Sequence, residues 1–473
     1  MIHIPALRLG EEYESLDKIE VKDCRSGEIL AEVSQVNGGI VRRDLSRHLD
    51  KARNALKKFT VAELVAISQE AGEHFMNSTL PCGDTMQSPE DYVKTLARTS
   101  GLPHNMCRAN MAKVYEVMAD ITTILKGLTR NLDLTVLDKG RIIQDGVGIS
   151  YACDTNSLGV VLPSNSPGVN SLWIPSLVLK VPVILKPGRE EPWTPLRIIQ
   201  AFIKAGCPKE AFGYYPTTHD GADSILTYSG KGIIFGDVKS TSKYKDNHNI
   251  EKHGPGYSKI LIGEDKIDQW PEYIDRLVAS VAKNSGRSCI NCSAIVVPRH
   301  AKEIAQAMAE KLADYAPGSV DDENARLSAF ANPLMADWID STINAELEEA
   351  GAEDLCQKAR GSARKVEFEG ATYVLPSVIY CESFEHPLAN REFMCPYVAV
   401  SELPQEEMLS KIGPSLVLSV FSDNEDFLTD AIAFEGAGRL NLNLPTTYVS
   451  WDQPHEGNLF EFLYTRKAIQ VQQ

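Results

Sequence analysis

The sequence predicts an α/β protein: two parallel-sheet domains with helices on both faces, plus a small β-hairpin element. Three observations carry that expectation. From Gly159 onward, short apolar runs alternate with amphipathic stretches at the length of strand–helix–strand units. A second block of the same alternation begins near Lys259. Between a helical N-terminal region and the first block, 134–151 places Leu134, Val136, Ile142, Ile143, Val147 and Ile149 among Asp-Lys-Gly and Asp-Gly turn signals, the pattern of two short paired strands. With 473 residues, the chain has room for two or three domains.

In chain order, the first 130 residues read as mainly helical. Apolar residues recur at helical spacing over 44–59 and 60–76, as in Leu64, Ile67 and Ala71, and 103–125 is a third helix. The first alternating block then predicts a strand at 159–163, a helix at 169–179 and a strand at 181–185. A helix at 194–204 stops at Gly206, with Pro208 beyond it, before strands at 212–215 and 232–235. The second block predicts a strand at 260–262, a helix at 270–283, a strand at 292–297 and an amphipathic helix at 300–315. Later strands are expected at 372–374, 397–400, 416–421 and 440–444, and the boundary between the blocks near 250–258.

The charge balance, 48 basic against 64 acidic residues for a net −16, argues against a general nucleic-acid binder, because a phosphate backbone would be repelled. A local basic pocket for one phosphorylated ligand is still allowed. The most apolar stretch, 168–187, carries Lys180, Pro175 and Pro182, so it reads as buried structure and not as a membrane span. Ten cysteines scattered from Cys24 to Cys395, with no export-like leader in the first 18 residues, are read as reduced thiols of a cytoplasmic protein.

Four short segments carry the chemistry. In Asn284-Ser-Gly-Arg-Ser-Cys289-Ile-Asn-Cys292, a cysteine sits on a Gly/Ser loop between a helix and a strand. Backbone N–H groups and nearby Arg287 would favour its thiolate, the nucleophilic form. The same residues also read as a packed loop cysteine, or as a Cys289–Cys292 dithiol or metal pair, although no second such pair supplies the remaining ligands of a zinc site. Leu162-Pro-Ser164-Asn165-Ser-Pro167 ends the first strand of the parallel block, where an asparagine amide can face the crevice above the sheet; alone it is a turn. Leu185-Lys186-Pro-Gly-Arg189-Glu-Glu-Pro192 ends the next strand, a position that suits a cofactor ribose or phosphate. In Arg391-Glu392-Phe-Met-Cys-Pro396, Glu392 can accept hydrogen bonds from ribose hydroxyls.

Together and in this order, the four segments resemble the aldehyde dehydrogenase superfamily, over roughly residues 130–445. That family runs as Pro-x-Asn-x-Pro, a Lys-Pro strand end, Gly-x-x-Cys and Glu-x-Phe-x-Pro; Met394 stands where the last phenylalanine is usual. The resemblance implies a Rossmann-like dinucleotide domain (1–130 and 152–252), an α/β catalytic domain (253–440) and a hairpin oligomerisation element (131–151 and 441–473) that supports a homodimer or homotetramer. It also implies that Cys289 attacks a carbonyl carbon. Asn165 and the Cys289 N–H would hold the oxyanion, and hydride would pass to NAD or NADP. Lys186, Arg189, Ser164, Gly236 and Glu392 would bind that cofactor, and no metal is expected.

Three departures qualify the resemblance. Hydrolytic members use a glutamate in Glu-Leu-Gly-Gly-Lys. Here the stretch is Glu251-Lys-His253-Gly-Pro-Gly256-Tyr-Ser-Lys259, with Glu251 too early and His253 or Pro255 in its neighbourhood. It looks closer to CoA-acylating aldehyde dehydrogenases and acyl-CoA reductases, so a small aldehyde or acyl-CoA substrate with coenzyme A is expected, hydrolytic oxidation being the alternative. His253 is the other candidate base. Arg189 stands where NAD-preferring members often carry glutamate, so NADP should be accepted at least comparably. Ile234-Phe-Gly236-Asp237 replaces the usual Phe-Thr-Gly-Ser and sets a carboxylate near the pyrophosphate, with Ser240 or Thr241 expected to cap the next helix. Cys153, Trp173, Tyr448 and Trp451 are candidates for a substrate tunnel.

Overall fold

The computed structural model describes residues 1–470 and contains two seven-stranded sheets. The first runs Ile250–His253, Gly230–Phe235, Ser157–Val161, Val183–Lys186, Phe212–Tyr214, Ala6–Arg8, Glu11–Tyr13. Its first five strands are parallel, and the N-terminal pair adds an antiparallel edge. Ser157–Val161 is buried along its whole length, as a strand covered on both faces must be. Helix Trp193–Lys204 covers one face with Trp193, Leu196, Ile198, Ile199 and Phe202. Helix Val61–Asn77, started by a Thr60/Glu63 capping box, packs on it.

Strand order fixes where a ligand can bind. From Ser157–Val161, the next strands in sequence lie on one side and the later strands on the other. The crevice therefore opens beyond the carboxyl ends of these strands, at the reversal. Those ends lead directly into Ser164 and Asn165, Pro187 to Arg189, Gly236, and Gly254 to Gly256.

The second sheet runs Ala352–Asp354, Ser377–Cys381, Tyr397–Glu402, Ala294–Val297, Lys259–Ile262, Ser415–Phe421, Ala437–Leu442, all parallel except the first. The loops carrying Cys289 and Glu392 enter the amino ends of its strands. A third, three-stranded sheet pairs Ile142–Gln144, Val147–Cys153 and the C-terminal strand Tyr464–Lys467. Asp145 and Gly146 turn its hairpin with φ of 53° and 79°, the two left-handed positions that favour an Asp-Gly turn. Among the described residues, no helix is long and apolar enough to cross a membrane.

Several expectations shift. The N-terminal region is not only helical: Ile2–Ile4, Ala6–Arg8, Glu11–Tyr13, Lys18–Lys22 and Ile29–Ser34 are strands, most too short to show periodicity in sequence. The first half of 134–151 is a turn of helix, Val136–Lys139, whose neighbours Leu134 and Leu137 pack into the main core. Pro167 and Pro175 each start a new turn, so 169–179 splits into a 3₁₀ segment, Pro167–Leu172, and a short helix, Ile174–Val178. Pro271 likewise lies in a 3₁₀ segment, Ile267–Tyr273, ahead of helix Ile274–Ala282. Of 441–473, Tyr464–Lys467 joins the hairpin, whereas 449–457 lines a cavity in the body of the protein.

Candidate active site

Cys289 lies on a loop whose shape is set by its own residues. Asn284, Ser285 and Gly286 are consecutive left-handed residues with φ of 53°, 56° and 67°. At Gly286 a Cβ would lie 2.3 Å from the Cys395 carbonyl carbon, so only glycine lets this turn pass beneath the Glu392 segment. Asn291 fastens the loop: its Oδ1 accepts from Ser288 N (2.9 Å), and its Nδ2 donates to the carbonyls of Ser280, Val281 and Lys283 at 3.1–3.2 Å. Gly256 approaches from below, where a Cβ would fall 2.1 Å from the Cys289 carbonyl oxygen, and Ser258 Oγ donates to that oxygen at 2.8 Å.

The Cys289 thiol is half-buried, and its pKa is pushed up to about 12, first by burial and then by the charges of Glu456 and Glu392. Lys113 opposes that shift, as does the residue's own backbone N–H. Arg287, the cation expected from sequence, instead turns into the interior and donates to Ser100 O at 2.8 Å. The cation facing the sulfur is Lys113. Cys292 is fully buried in the catalytic core, its thiol 3.2 Å from Ala294 O, and both cysteines are free thiols. Among the described residues, no group of three or more His, Cys, Asp or Glu is placed to hold a metal ion.

Asn165 is brought to this loop. Its Nδ2 donates to Arg287 O at 3.0 Å and touches Met394 Sδ at 3.6 Å, while its buried Oδ1 has no partner. Asn110 ties the two segments together: its Nδ2 donates to Asn284 Oδ1 (2.9 Å), and Ser166 Oγ donates to its Oδ1 (3.1 Å). A thioether is a weak acceptor, so the N–H that faces Met394 is the one readily released to a ligand.

The other strand ends present groups suited to a dinucleotide. Lys186 is half-buried with no ion-pair partner among the described residues, and burial lowers its pKa. Ser164 Oγ accepts from Glu190 N at 3.3 Å, and a Cβ on Gly188 would stand 2.5 Å from that hydroxyl. Of the charged run after Gly188, only Arg189 is exposed. Glu191 is buried at the start of the following helix and accepts from Thr194 N and Oγ at 2.8 and 2.6 Å; burial raises it to about 8. Asp237 itself caps the next helix by accepting from Ser240 N at 2.7 Å, so it is the cap in place of Ser240 or Thr241, and its charge is spent there.

Glu392 is held below the crevice by the backbone N–H of Tyr257, which donates to Oε2, while its buried Oε1 has no partner. Burial raises it to about 7 against the backbone donors of Tyr257 and Gly256. An orphaned carboxylate oxygen here, with an unpaired ammonium at Lys186, fits a ligand that brings hydroxyls.

His253 ends the edge strand of the first sheet, buried under Phe235. Its Nε2 lies 3.8 Å from Glu251 Oε2 and its Nδ1 2.5 Å from Glu456 Oε2, the latter off the line a hydrogen bond requires. Burial disfavours the charged ring, but the two carboxylates outweigh it and raise the pKa to about 9. These groups line one cavity with Lys113, His455, Val449 and Trp451. A wider cleft of about 720 Å³ adjoins it, sharing Lys113, Val449 and Trp451, and is lined by Ser288 and Ile290 on either side of Cys289. Tyr448 and Trp451 line this cleft as expected, whereas Trp173 is wholly buried and Cys153 lies in a separate pocket.

This architecture can be set beside known proteins. The profile of the aldehyde dehydrogenase family matches residues 13–458. The chain belongs to that family. It is 23% identical over 318 residues to a malonate-semialdehyde dehydrogenase of Bacillus subtilis, across 64% of this chain and 63% of that protein, less than two thirds of the relative's length. It is 23% identical over 396 residues to an N-succinylglutamate 5-semialdehyde dehydrogenase of Vibrio cholerae, across 78% and 76%. Among solved structures, an aldehyde dehydrogenase from Pseudomonas aeruginosa superposes with a TM-score of 0.79 at 17% identity, covering 99% of this chain and 96% of that one. An indole-3-acetaldehyde dehydrogenase in complex with NAD⁺ gives 0.78 at 17%, again over 99% and 96%. The aldehyde dehydrogenase fold and family are those of this chain.

Lys113, Arg439 and Glu456 were not singled out from sequence. Lys113 had a faint signal, since it shares one helical face with buried Asn110 and Val117. Arg439 and Glu456 had none, because Cys289 and His253, beside which they fold, lie far away in the chain.

Proposed function

We propose that the protein oxidises a small carboxylate-bearing aldehyde at Cys289. The observation that carries this reading is a pair of cations beside the thiol that lack carboxylate ion-pair partners. Lys113 forms no ion pair among the described residues. Arg439 donates only to His455 Nδ1 (2.5 Å), His455 O (3.1 Å) and Tyr448 O (3.4 Å), leaving its buried Nε without a partner. In a chain of net charge −16, the cleft over Cys289 is lined by Lys113, Lys283 and Arg326 against a single acid, Glu116. Such a lining favours an anionic substrate. The semialdehyde dehydrogenases of Bacillus subtilis and Vibrio cholerae are consistent with it.

Cys289 attacks the aldehyde carbon to give a thiohemiacetal, and the second N–H of Asn165 together with the Cys289 N–H stabilises the oxyanion. NAD(P), cradled by Lys186, Ser164, Arg189, Gly236 and Glu392, supplies the hydride acceptor when bound. Exposed Arg189, free of the buried Glu191, supports acceptance of NADP. The thioester left on Cys289 then needs an acceptor. In the test, a semialdehyde and the neutral aldehyde of equal length are compared, with Lys113→Met and Arg439→Met. Selective loss of kcat/KM for the anionic substrate supports the reading, and equal kcat/KM for the two aldehydes in the unaltered enzyme defeats it.

A second reading makes coenzyme A the acceptor, favoured by the absence of a glutamate in the segment that packs beneath Cys289, Gly254-Pro-Gly256. Rates that do not change when CoA is added remove it. Exposed Ile143 and Val147 on the hairpin support self-association into a homodimer or homotetramer, read directly by light scattering.

A further inference from the structure

We propose that Glu456, delivered from the C-terminal loop, is the general base that activates the water which releases the acyl group from Cys289, with His253 as its positioning residue. The inference rests on the reading of Cys289 as the acylated nucleophile. It concerns the step after oxidation and assigns a role to a residue far from the segment where a hydrolytic glutamate is expected.

Three independent observations place Glu456 there. First, the edge strand of the first sheet ends in His253, and its ring lies 2.5 Å from Glu456 Oε2 and 3.8 Å from the strand's own Glu251, so the loop carboxylate is the one held against the ring. Second, both residues line a cavity of about 70 Å³, enough to admit water. Third, the cavity borders residues that pack around the nucleophile. Val449 lines it and packs in the same apolar cluster as Cys289, and Gly256, three residues past His253, abuts the Cys289 backbone.

Electrostatics explains why such a base acts after acylation. A carboxylate near a thiolate repels it, and Glu456 contributes to the raised Cys289 pKa. Once the sulfur is acylated it is neutral, and the repulsion disappears. The water oxygen then forms a bond to the thioester carbon while its proton passes to Glu456. The tetrahedral adduct collapses, the C–S bond breaks with its electron pair on sulfur, and Glu456 returns the proton to give the thiol and a carboxylic acid. The groups facing Glu456 are His253 and, around the same space, Glu251, His455, Lys113 and Arg439. Burial and the Arg439 and Lys113 charges hold His455 far below its usual range, so it stays neutral. His253 remains charged through neutral pH and holds the Glu456 carboxylate beside it.

The test uses p-nitrophenyl acetate without any dinucleotide, so the acyl-enzyme forms independently of hydride transfer. The unaltered protein should turn over. Glu456→Gln should release one equivalent of p-nitrophenolate per site, accumulate acetyl-Cys289 detectable by intact mass, and lose about 10²-fold or more in steady-state rate. Hydroxylamine should restore release, Glu456→Asp should recover part of the rate, and thermal melting reports whether each variant is folded. Removing the neighbouring cation in His253→Asn should raise the pH of the acid limb of deacylation, by roughly one unit, a shift that a merely structural role would not produce. Acetyl-Cys289 that decays equally fast in Glu456→Gln overturns the inference alone. Failure of either protein to acetylate Cys289 overturns the reading of the nucleophile as well.

Discussion

The loop that holds Cys289 and the pocket wall that faces it are built in opposite ways. The loop is local: Asn284 to Gly286 set its turn, and Asn291, two residues past the cysteine, fastens it to the end of the preceding helix. The wall is assembled from Lys113, His253, Arg439 and Glu456, residues spread across most of the chain. The proposed nucleophile is held against its own backbone, so neighbouring residues suffice. A charged surround needs groups aimed from several directions, which only separate elements can supply.

Experiments on the loop should give the largest effects. Cys289→Ser should bring NAD(P)H formation below detection in an absorbance assay while melting stays near that of the unaltered protein; retained turnover would remove the sulfur from the chemistry. Gly286→Ala should come next, because it forces a Cβ into the Cys395 carbonyl at a left-handed position. A loss of about 1–3 kcal/mol in denaturant unfolding, with a lower kcat, is expected. Asn165→Ala should cost about 10²–10³ in kcat with KM little changed, the signature of a donor used in the transition state.

The wall should respond more gently and with pH. The folded His253 pKa of about 9 exceeds its ordinary 6.5, so its contribution to stability is complete below pH 6.5 and is lost as pH rises through 9. The amount is on the order of 3 kcal/mol, and the fall in melting temperature over that window should flatten in His253→Asn. The smallest effect belongs to Arg189→Glu, which should shift the NADP/NAD ratio of kcat/KM by about tenfold toward NAD with little change in stability. An unchanged ratio would free Arg189 from cofactor choice.

The same division explains what could be read in advance. The Asn165, Lys186, Cys289 and Glu392 segments were legible because each is contiguous and ends or enters a strand. Arg287 was misjudged because proximity in sequence says nothing about direction, and its guanidinium leaves the site for Ser100 O. The early strands were missed because most are only three residues long. Asp237, a repulsive charge on paper, is engaged as the cap of a helix.

The sequence by itself determined the alternating layers and the strand ends that meet at the crevice, since these follow from local periodicity, and it singled out the Cys289 loop while leaving packed-thiol and dithiol readings open. Only the tertiary structure decided which charges surround that thiol. A side chain at position 113, 439 or 456 comes beside the thiol only when distant parts of the chain fold together, and the field it feels depends on distance and burial, neither of which is written in the order of the residues.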